Sequence, residues 1–308
     1  MSPIAWPSGG RNKAIPPPDS APLPPEWADQ READDLAERL NIFTPETPRR
    51  KLSDLVLSAE TEQQLNIALA KIQHHDKLYR VWGLQDIHPE GRGMAINLYG
   101  PPGTGKSFGA EAIAAHLGKP LIRVDYAQLE SRFVGDTPKN IVAAFDAARQ
   151  TGSVLFFDEA DSVLSRRVTN ITQAADYGVN VSRSTLLLQL DSFEGVVIFA
   201  TNLANNYDPA FVRRILAHVH FPLPDHGALV RLWHYHLPAK LPRESGVTAE
   251  ALAAQSLGLS GGDVLNTVIL AASGAAGRGA EAVSLADFEA ALGQVRRAKA
   301  EIGVEDSG

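Results

Sequence analysis

The strongest constraint on the fold is a glycine-rich loop between a strand pattern and a helix pattern. Residues 94–99 are largely apolar, and the letters GPPGTGKS follow at 100–107. Glycines let the backbone curl so that its N–H groups surround a phosphate, and the helix that follows adds the positive end of its dipole. The pattern predicts a phosphate-binding loop in which Lys106 reaches the outer phosphate oxygens and the Ser107 hydroxyl binds Mg²⁺.

Short apolar runs alternate with helical patterns from residue 52 onwards. Near-continuous apolar runs are typical of parallel strands that are covered on both faces. The alternation therefore predicts an α/β fold with a doubly wound parallel sheet, whose ligands bind at the carboxyl ends of the strands. The predicted strands cover 94–99, 121–126, 154–158, 196–201 and 218–221, and the predicted helices cover 107–117, 138–150, 181–193 and 208–216.

The two ends of the chain differ from this α/β region. Helical patterns alone follow residue 224, and they predict a small helical lid domain over 225–303 with helices at 226–237, 248–256, 261–275 and 284–299. Residues 1–50 hold half of the chain's 20 prolines, which predicts a partly disordered tail with one helical stretch at 26–40. The large α/β domain then occupies 51–224, and 304–308 form a second tail.

Composition excludes several classes of protein. The 29 basic and 36 acidic residues give a formal net charge of −7, which disfavours a duplex-binding surface. With no cysteine the chain has neither disulfides nor thiolate metal sites. No apolar run has the length of a membrane span and the start does not resemble a signal peptide, so we expect a cytoplasmic protein.

Two further strand ends carry polar side chains that suit phosphate chemistry. The apolar run at 154–157 ends in Asp158 and Glu159, and the run at 196–201 ends in Asn202. Asp158 is predicted to hold Mg²⁺, and Glu159 to orient and polarise a water that attacks the γ-phosphate. Asn202, on a strand between those of the loop and of Asp158, is predicted to hydrogen-bond that water or the γ-phosphate.

These segments resemble the AAA+ superfamily, and within it the AAA clade proper that contains katanin, spastin and the valosin-type unfoldases. The resemblance covers about residues 52–302. It implies the strand order 5-1-4-3-2 with a helical lid, ATP and Mg²⁺ as cofactors, and hydrolysis of ATP to ADP and phosphate. It also implies a homo-oligomer, in the form of a hexameric ring, that remodels protein substrates.

The resemblance also implies roles for individual residues. Arg213 and Arg214 correspond to arginine fingers that act on a neighbour's nucleotide, and Phe133 and Val134 to a pore loop that grips polypeptide. The residues implied in nucleotide contacts are Leu55, Val56, Pro102, Gly103, Thr104, Gly105, Lys106, Ser107, Phe108, His236 and Gly262. The clade has an Asp-Ile-Gly-Gly turn near adenine, and this chain has Asp54-Leu55-Val56-Leu57 there, without either glycine. No arginine stands at 259–263, which favours protein remodelling over helicase or clamp loading.

Three functions remain open at this stage. The leading hypothesis is an ATP-driven protein remodeller that threads its substrate, with an adaptor bound to the N-terminal tail. The alternatives are a nucleic-acid motor or loader, and a nucleotide-switched assembly factor that turns over slowly. The negative net charge and the aromatic pore residue disfavour the first alternative, and Glu159, Arg213 and Arg214 disfavour the second. Because no His-Glu-x-x-His motif occurs, a fused zinc peptidase is not expected.

Overall fold

The computed structural model describes residues 37–87, 94–125, 129, 136–165, 174–202 and 207–302. Five strands form one sheet, in the order β2-β3-β4-β1-β5. They are β1 (Met94–Tyr99), β2 (Leu121–Val124), β3 (Val154–Phe157), β4 (Val196–Thr201) and β5 (Ile215–His220). All four ladders are parallel. Read from the opposite edge, this is the predicted order 5-1-4-3-2, so the predicted fold is confirmed.

The sheet order brings three functional strand ends to one edge. β1 pairs with β4 and with β5, and β4 pairs with β3. The strands β3 and β4 are buried along their whole length, as their apolar sequences predict. β4 therefore lies between β1 and β3, as predicted, and the residues that follow these three strands meet at their carboxyl ends.

Helices cover both faces of this sheet. They are α1 (Ala59–Gln73), α2 (Lys106–His116), α3 (Asp136–Thr151), α4 (Asp161–Leu164), α5 (Ala174–Ser192) and α6 (Pro209–Val212). One buried cluster includes Phe145, Phe157 and Phe199, and the cluster on the other face includes Ile96 and Phe156. In the part of the chain that the structure describes, no helix is both long and apolar enough to cross a membrane.

One predicted helix is wrong in its second half. The sequence pattern predicted a helix over 208–216 and a strand over 218–221, but α6 ends at Val212 and β5 begins at Ile215. Ile215 pairs with Ala95 of β1 and is buried, so this apolar residue belongs to the sheet. β2 and β3 also end earlier than predicted, at Val124 and Phe157, and α5 begins at Ala174 rather than at 181.

Four helices follow β5 and enclose a core of their own. They are α7 (His226–His236), α8 (Ala249–Ala254), α9 (Gly261–Gly277) and α10 (Leu285–Ile302). Trp233 packs edge-on against Phe288 with the ring centroids 5.8 Å apart, and its indole N–H donates to the Ser256 hydroxyl at 3.0 Å. Both rings are fully buried. We refer to these four helices as the lid.

The last part of the predicted tail packs on the sheet. Residues 37–42 are helical. Phe43 is 2% exposed and belongs to the cluster that contains Phe145. Glu46 and Leu121 exchange two backbone hydrogen bonds, of 2.8 and 2.9 Å, so the segment covers the edge of β2. Residues 1–36, which include most of the predicted tail, lie outside the described residues.

Candidate nucleotide site

A cavity of about 810 Å³ lies where the carboxyl edge of the sheet meets the lid. This volume is typical of pockets that hold small ligands. Fourteen of the residues predicted from the sequence line this one cavity. They are Leu55, Val56, Pro102, Gly103, Thr104, Gly105, Lys106, Ser107, Phe108, Asp158, Glu159, Asn202, His236 and Gly262.

The loop at 100–107 has a backbone that requires glycine. Gly103 has a φ of 76°, in the left-handed region, and a Cβ at this position would lie only 2.5 Å from the Ser260 hydroxyl oxygen. The Lys106 ammonium donates to the carbonyl oxygens of Gly100 and Pro101, at 2.7 and 2.8 Å. The lysine is therefore held inside the curled loop, and α2 begins directly at its end.

Burial makes Lys106 a weaker base than an ordinary lysine. Loss of solvation lowers its pKa from 10.5 to about 8, although the nearby carboxylates of Asp161 and Asp158 act in the opposite direction. The amine titrates close to neutral pH as a result. A phosphate bound at this loop would favour the charged form.

The Asp158 carboxylate is held by three donors. One oxygen, Oδ2, accepts from the Ser107 hydroxyl at 2.9 Å and from the Arg123 guanidinium at 3.2 Å. The other, Oδ1, accepts from the Glu159 backbone N–H at 3.1 Å. Arg123 was not among the predicted site residues, although a basic residue inside the otherwise apolar β2 is a signal that could have found it.

The pair of Ser107 and Asp158 suits a magnesium–nucleotide complex. Mg²⁺ prefers hard oxygen ligands, and it is usually held by one or two protein groups together with the substrate phosphates and water. A hydroxyl and a carboxylate in contact at the end of a phosphate-binding loop meet this requirement. No cluster of three or more His, Asp or Glu side chains that could hold a metal without a nucleotide occurs among the described residues.

Glu159 has an unusual backbone. Its φ is 50°, and in the described parts of the chain it is the one residue other than glycine with a positive φ. Such strain is commonly found at functional sites. The side chain is exposed and lines the cavity. The chain turns at Glu159 instead of continuing β3, and the turn brings the Glu159 carboxylate to the cavity.

Asn202 is fixed by a second carboxylate that the sequence analysis missed. Its backbone N–H donates to both oxygens of Asp161, at 3.1 and 3.2 Å. Asp161 is at the start of α4 and also acts on Lys106 electrostatically. No motif pointed to Asp161, because its contact depends on how β4 lies beside β3.

Phe108, one of the predicted nucleotide contacts, lies near Arg50 and near Tyr235 of the lid. The Arg50 guanidinium lies 5.0 Å from the centroid of the Phe108 ring, and Tyr235 approaches Phe108 edge-on at 6.5 Å. Burial lowers the pKa of His236, so its ring is neutral at neutral pH. Val56 and Leu57 stand where the clade has its two glycines, and neither has a positive φ, so the backbone here does not need glycine.

The lid touches the phosphate-binding loop directly. The Gly262 backbone N–H donates to the carbonyl oxygen of Gly103 at 3.0 Å. Ser260 and Asp263 form a capping box at the start of α9, and Lys299 of α10 donates to the Asp263 carboxylate at 3.1 Å. The start of α9 is therefore fixed against the loop.

The remaining predicted residues lie elsewhere. Arg213 is exposed just after α6, and Arg214 makes two hydrogen bonds to the Asp191 carboxylate, at 2.6 and 2.8 Å. Neither arginine lines the cavity. The predicted pore residues Phe133 and Val134 lie outside the described residues.

Comparison with protein families decides the kind of site. Residues 96–223 match the model of the family described as "ATPase family associated with various cellular activities (AAA)". The match runs from β1 through β5 and includes the phosphate-binding loop, Asp158, Glu159 and Asn202. The chain contains an AAA ATPase domain. AAA ATPases bind ATP with Mg²⁺, which are therefore the cofactors of this site.

Curated AAA relatives match over most of this chain. It is 32% identical over 262 residues to the "ATP-dependent zinc metalloprotease FtsH 3" of Sphaerobacter thermophilus, over 83% of this chain and 51% of that protein. It is 34% identical to the "26S proteasome regulatory subunit 8" of Caenorhabditis elegans, over 74% of this chain and 54% of that protein. It is also 34% identical to the "Cell division cycle protein 48 homolog" of Archaeoglobus fulgidus, over 71% of this chain and 30% of that protein. The chain thus spans about half the length of these relatives, or less.

The lowered pKa of Lys106 predicts a pH dependence of nucleotide binding by the AAA domain. Only the ammonium form of Lys106 attracts phosphate, so the affinity for ADP should fall by about tenfold in total between pH 7 and pH 9. Lys106→Arg keeps its charge over this range, and its affinity should stay nearly constant. Calorimetric titration with ADP from about pH 7 to about pH 9 checks this. A constant affinity in the unsubstituted protein, or the same decline in Lys106→Arg, would contradict the prediction.

Proposed function

We propose that this chain hydrolyses ATP to ADP and phosphate and uses the reaction to remodel or unfold protein substrates. In the proposed assembly, six copies form a ring and draw polypeptide through its central pore. One observation carries the proposal: Lys106, Ser107, Asp158, Glu159 and Asn202 surround one cavity of an AAA ATPase domain.

Within one subunit we assign roles from position and chemistry. Lys106 neutralises phosphate charge, and Ser107 with Asp158 would hold Mg²⁺, which supplies further neutralisation when bound. Glu159 would accept the proton of the attacking water, since it is an exposed carboxylate that faces the cavity. Asn202 would orient that water, because Asp161 fixes its backbone.

A neighbouring subunit would complete the site. Arg213 is exposed and lies away from its own cavity, which is what a group that acts in trans requires. Arg214 has a partner in its own subunit, Asp191, and would have to exchange it in order to reach a neighbour's phosphate. A guanidinium that neutralises transition-state charge on the γ-phosphate accelerates hydrolysis strongly.

Protein is the proposed substrate class. Relatives with similar sequences are named as a metalloprotease, as proteasome subunits and as a "Proteasome-activating nucleotidase". The net charge of −7 also disfavours nucleic acid. The pore role of Phe133 and Val134, the division into domains at 50 and 224, the adaptor on the tail and the cytoplasmic location remain proposals from the sequence.

A mixing experiment tests whether active sites lie between subunits. Arg213→Ala and Glu159→Gln should each slow ATP hydrolysis by at least ~10²-fold. In an equal mixture of these two variants, about one quarter of the interfaces pair an intact Glu159 with an intact Arg213 of the neighbour, so activity should partly return.

The matched control mixes Arg213→Ala with a chain that carries both substitutions. No interface in that mixture contains an intact Arg213, and no recovery of hydrolysis is expected. If the first mixture also recovers nothing, although mass measurements show mixed rings, the active sites do not lie between subunits. Native mass spectrometry and phosphate release are the two measurements.

Substitution of Phe133 tests threading. Phe133→Ala should preserve ring formation and basal hydrolysis but abolish the stimulation of hydrolysis by an unfolded protein, because a grip through buried aromatic area is lost. Phe133→Tyr should have a mild effect. A large fall in melting temperature for Phe133→Ala would mean that Phe133 is a core residue. Stimulation of the unsubstituted protein by single-stranded DNA instead of protein would favour the nucleic-acid alternative.

A further inference from the structure

Acidic side chains outnumber basic ones among the described residues that line the cavity. Among the described residues that line it, Lys106 is the one lysine or arginine. Five carboxylate residues line it as well: Asp54, Asp125, Asp158, Glu159 and Asp225. A nucleotide brings further negative charge, so binding of its phosphates has to overcome repulsion.

Arg123 is a second cation close to this cavity. It is the single Asp, Glu, Lys or Arg residue in the five strands of the sheet. Strand side chains alternate between faces, and Arg123 shares a face with Leu121, which belongs to the core that packs on α2. Its guanidinium lies 5.1 Å from the centroid of the Phe156 ring and donates to Asp158 Oδ2 at 3.2 Å.

The contact places positive charge next to the carboxylate that would hold Mg²⁺. Asp158 Oδ2 accepts from Ser107 and Arg123 together, so the arginine holds the carboxylate in its orientation towards the hydroxyl. Arg123 does not line the cavity itself. Its effect on a bound nucleotide therefore passes through Asp158.

We infer that Arg123 is a positioning residue that lets this site bind nucleotide phosphates when Mg²⁺ is absent. Without the cation, Asp158 repels the phosphates, and Arg123 offsets that repulsion. When Mg²⁺ is bound, the cation does this instead and the contribution of Arg123 becomes small. The arginine thus lowers the factor by which Mg²⁺ strengthens nucleotide binding. The inference rests on the proposed nucleotide site.

Calorimetric titration with ADP, in excess EDTA and in excess Mg²⁺, tests the inference. Arg123→Gln should weaken Mg²⁺-free binding of ADP by about three- to tenfold, and should change binding in Mg²⁺ much less. The factor by which Mg²⁺ strengthens binding should therefore rise. Arg123→Lys keeps the charge and should stay closer to the unsubstituted protein. Arg123→Met, which keeps the apolar stem on Phe156, is a second neutral variant in case Arg123→Gln does not fold.

Arg149→Gln is the matched control. Arg149 likewise pairs with an acid, Asp146 at 2.7 Å, and lies over an aromatic ring, that of Phe193, but it is not part of the cavity. Its substitution should leave the Mg²⁺ factor unchanged. If the neutral variants of Arg123 keep the original factor, or if Arg123→Lys changes it equally, the inference is wrong. If the unsubstituted protein binds no ADP under either condition, the proposed nucleotide site itself is wrong.

Discussion

The hydrogen bond from the Gly262 N–H to the Gly103 carbonyl joins the two parts of the nucleotide site. The sheet supplies the phosphate-binding loop, and the lid supplies the start of α9 that lies on it. Both parts supply walls of the cavity. A bound nucleotide would touch both parts, so a change at the phosphates could move the lid relative to the sheet. Mechanical work by the proposed ring depends on that coupling.

The order of the strands in the sheet positions the other residues of the site. β4 lies between β1 and β3, so Asn202 lies between the phosphate-binding loop and the pair of Asp158 and Glu159. Below this edge, a buried Asn97 on β1 donates to the Tyr207 hydroxyl at 3.2 Å and lies 3.4 Å from a ring nitrogen of His218 on β5. Polar groups are costly in a core unless they are paired, and paired groups favour one arrangement of the strands they join. The strand ends around the cavity are thereby held in register.

Most of this arrangement could be predicted from the sequence, because it depends on short motifs at strand ends. The parallel strands, the loop at 100–107 and the strand-end residues Asp158, Glu159 and Asn202 follow from such patterns, whereas the strand order and the other nucleotide contacts were implied by the family resemblance. What could not be predicted depends on side-chain contacts across the fold. Asp161 reaches Asn202 from another element, and Arg123 reaches Asp158 from the neighbouring strand. The wrong helix at 208–216 has a similar cause, since only the pairing of β5 with β1 shows that Ile215 belongs to a strand.

Substitution of Gly103 tests most directly whether loop and lid form the nucleotide site together. Gly103→Ala places a methyl group against Ser260 and should weaken ADP binding by more than about tenfold. Gly118→Ala, which has a similar φ of 65° but open space around it, should bind ADP normally. Adding Ser260→Gly to Gly103→Ala removes the overlapping hydroxyl and should restore part of the affinity, measured by calorimetry. Unchanged binding in Gly103→Ala would contradict a site shared between loop and lid.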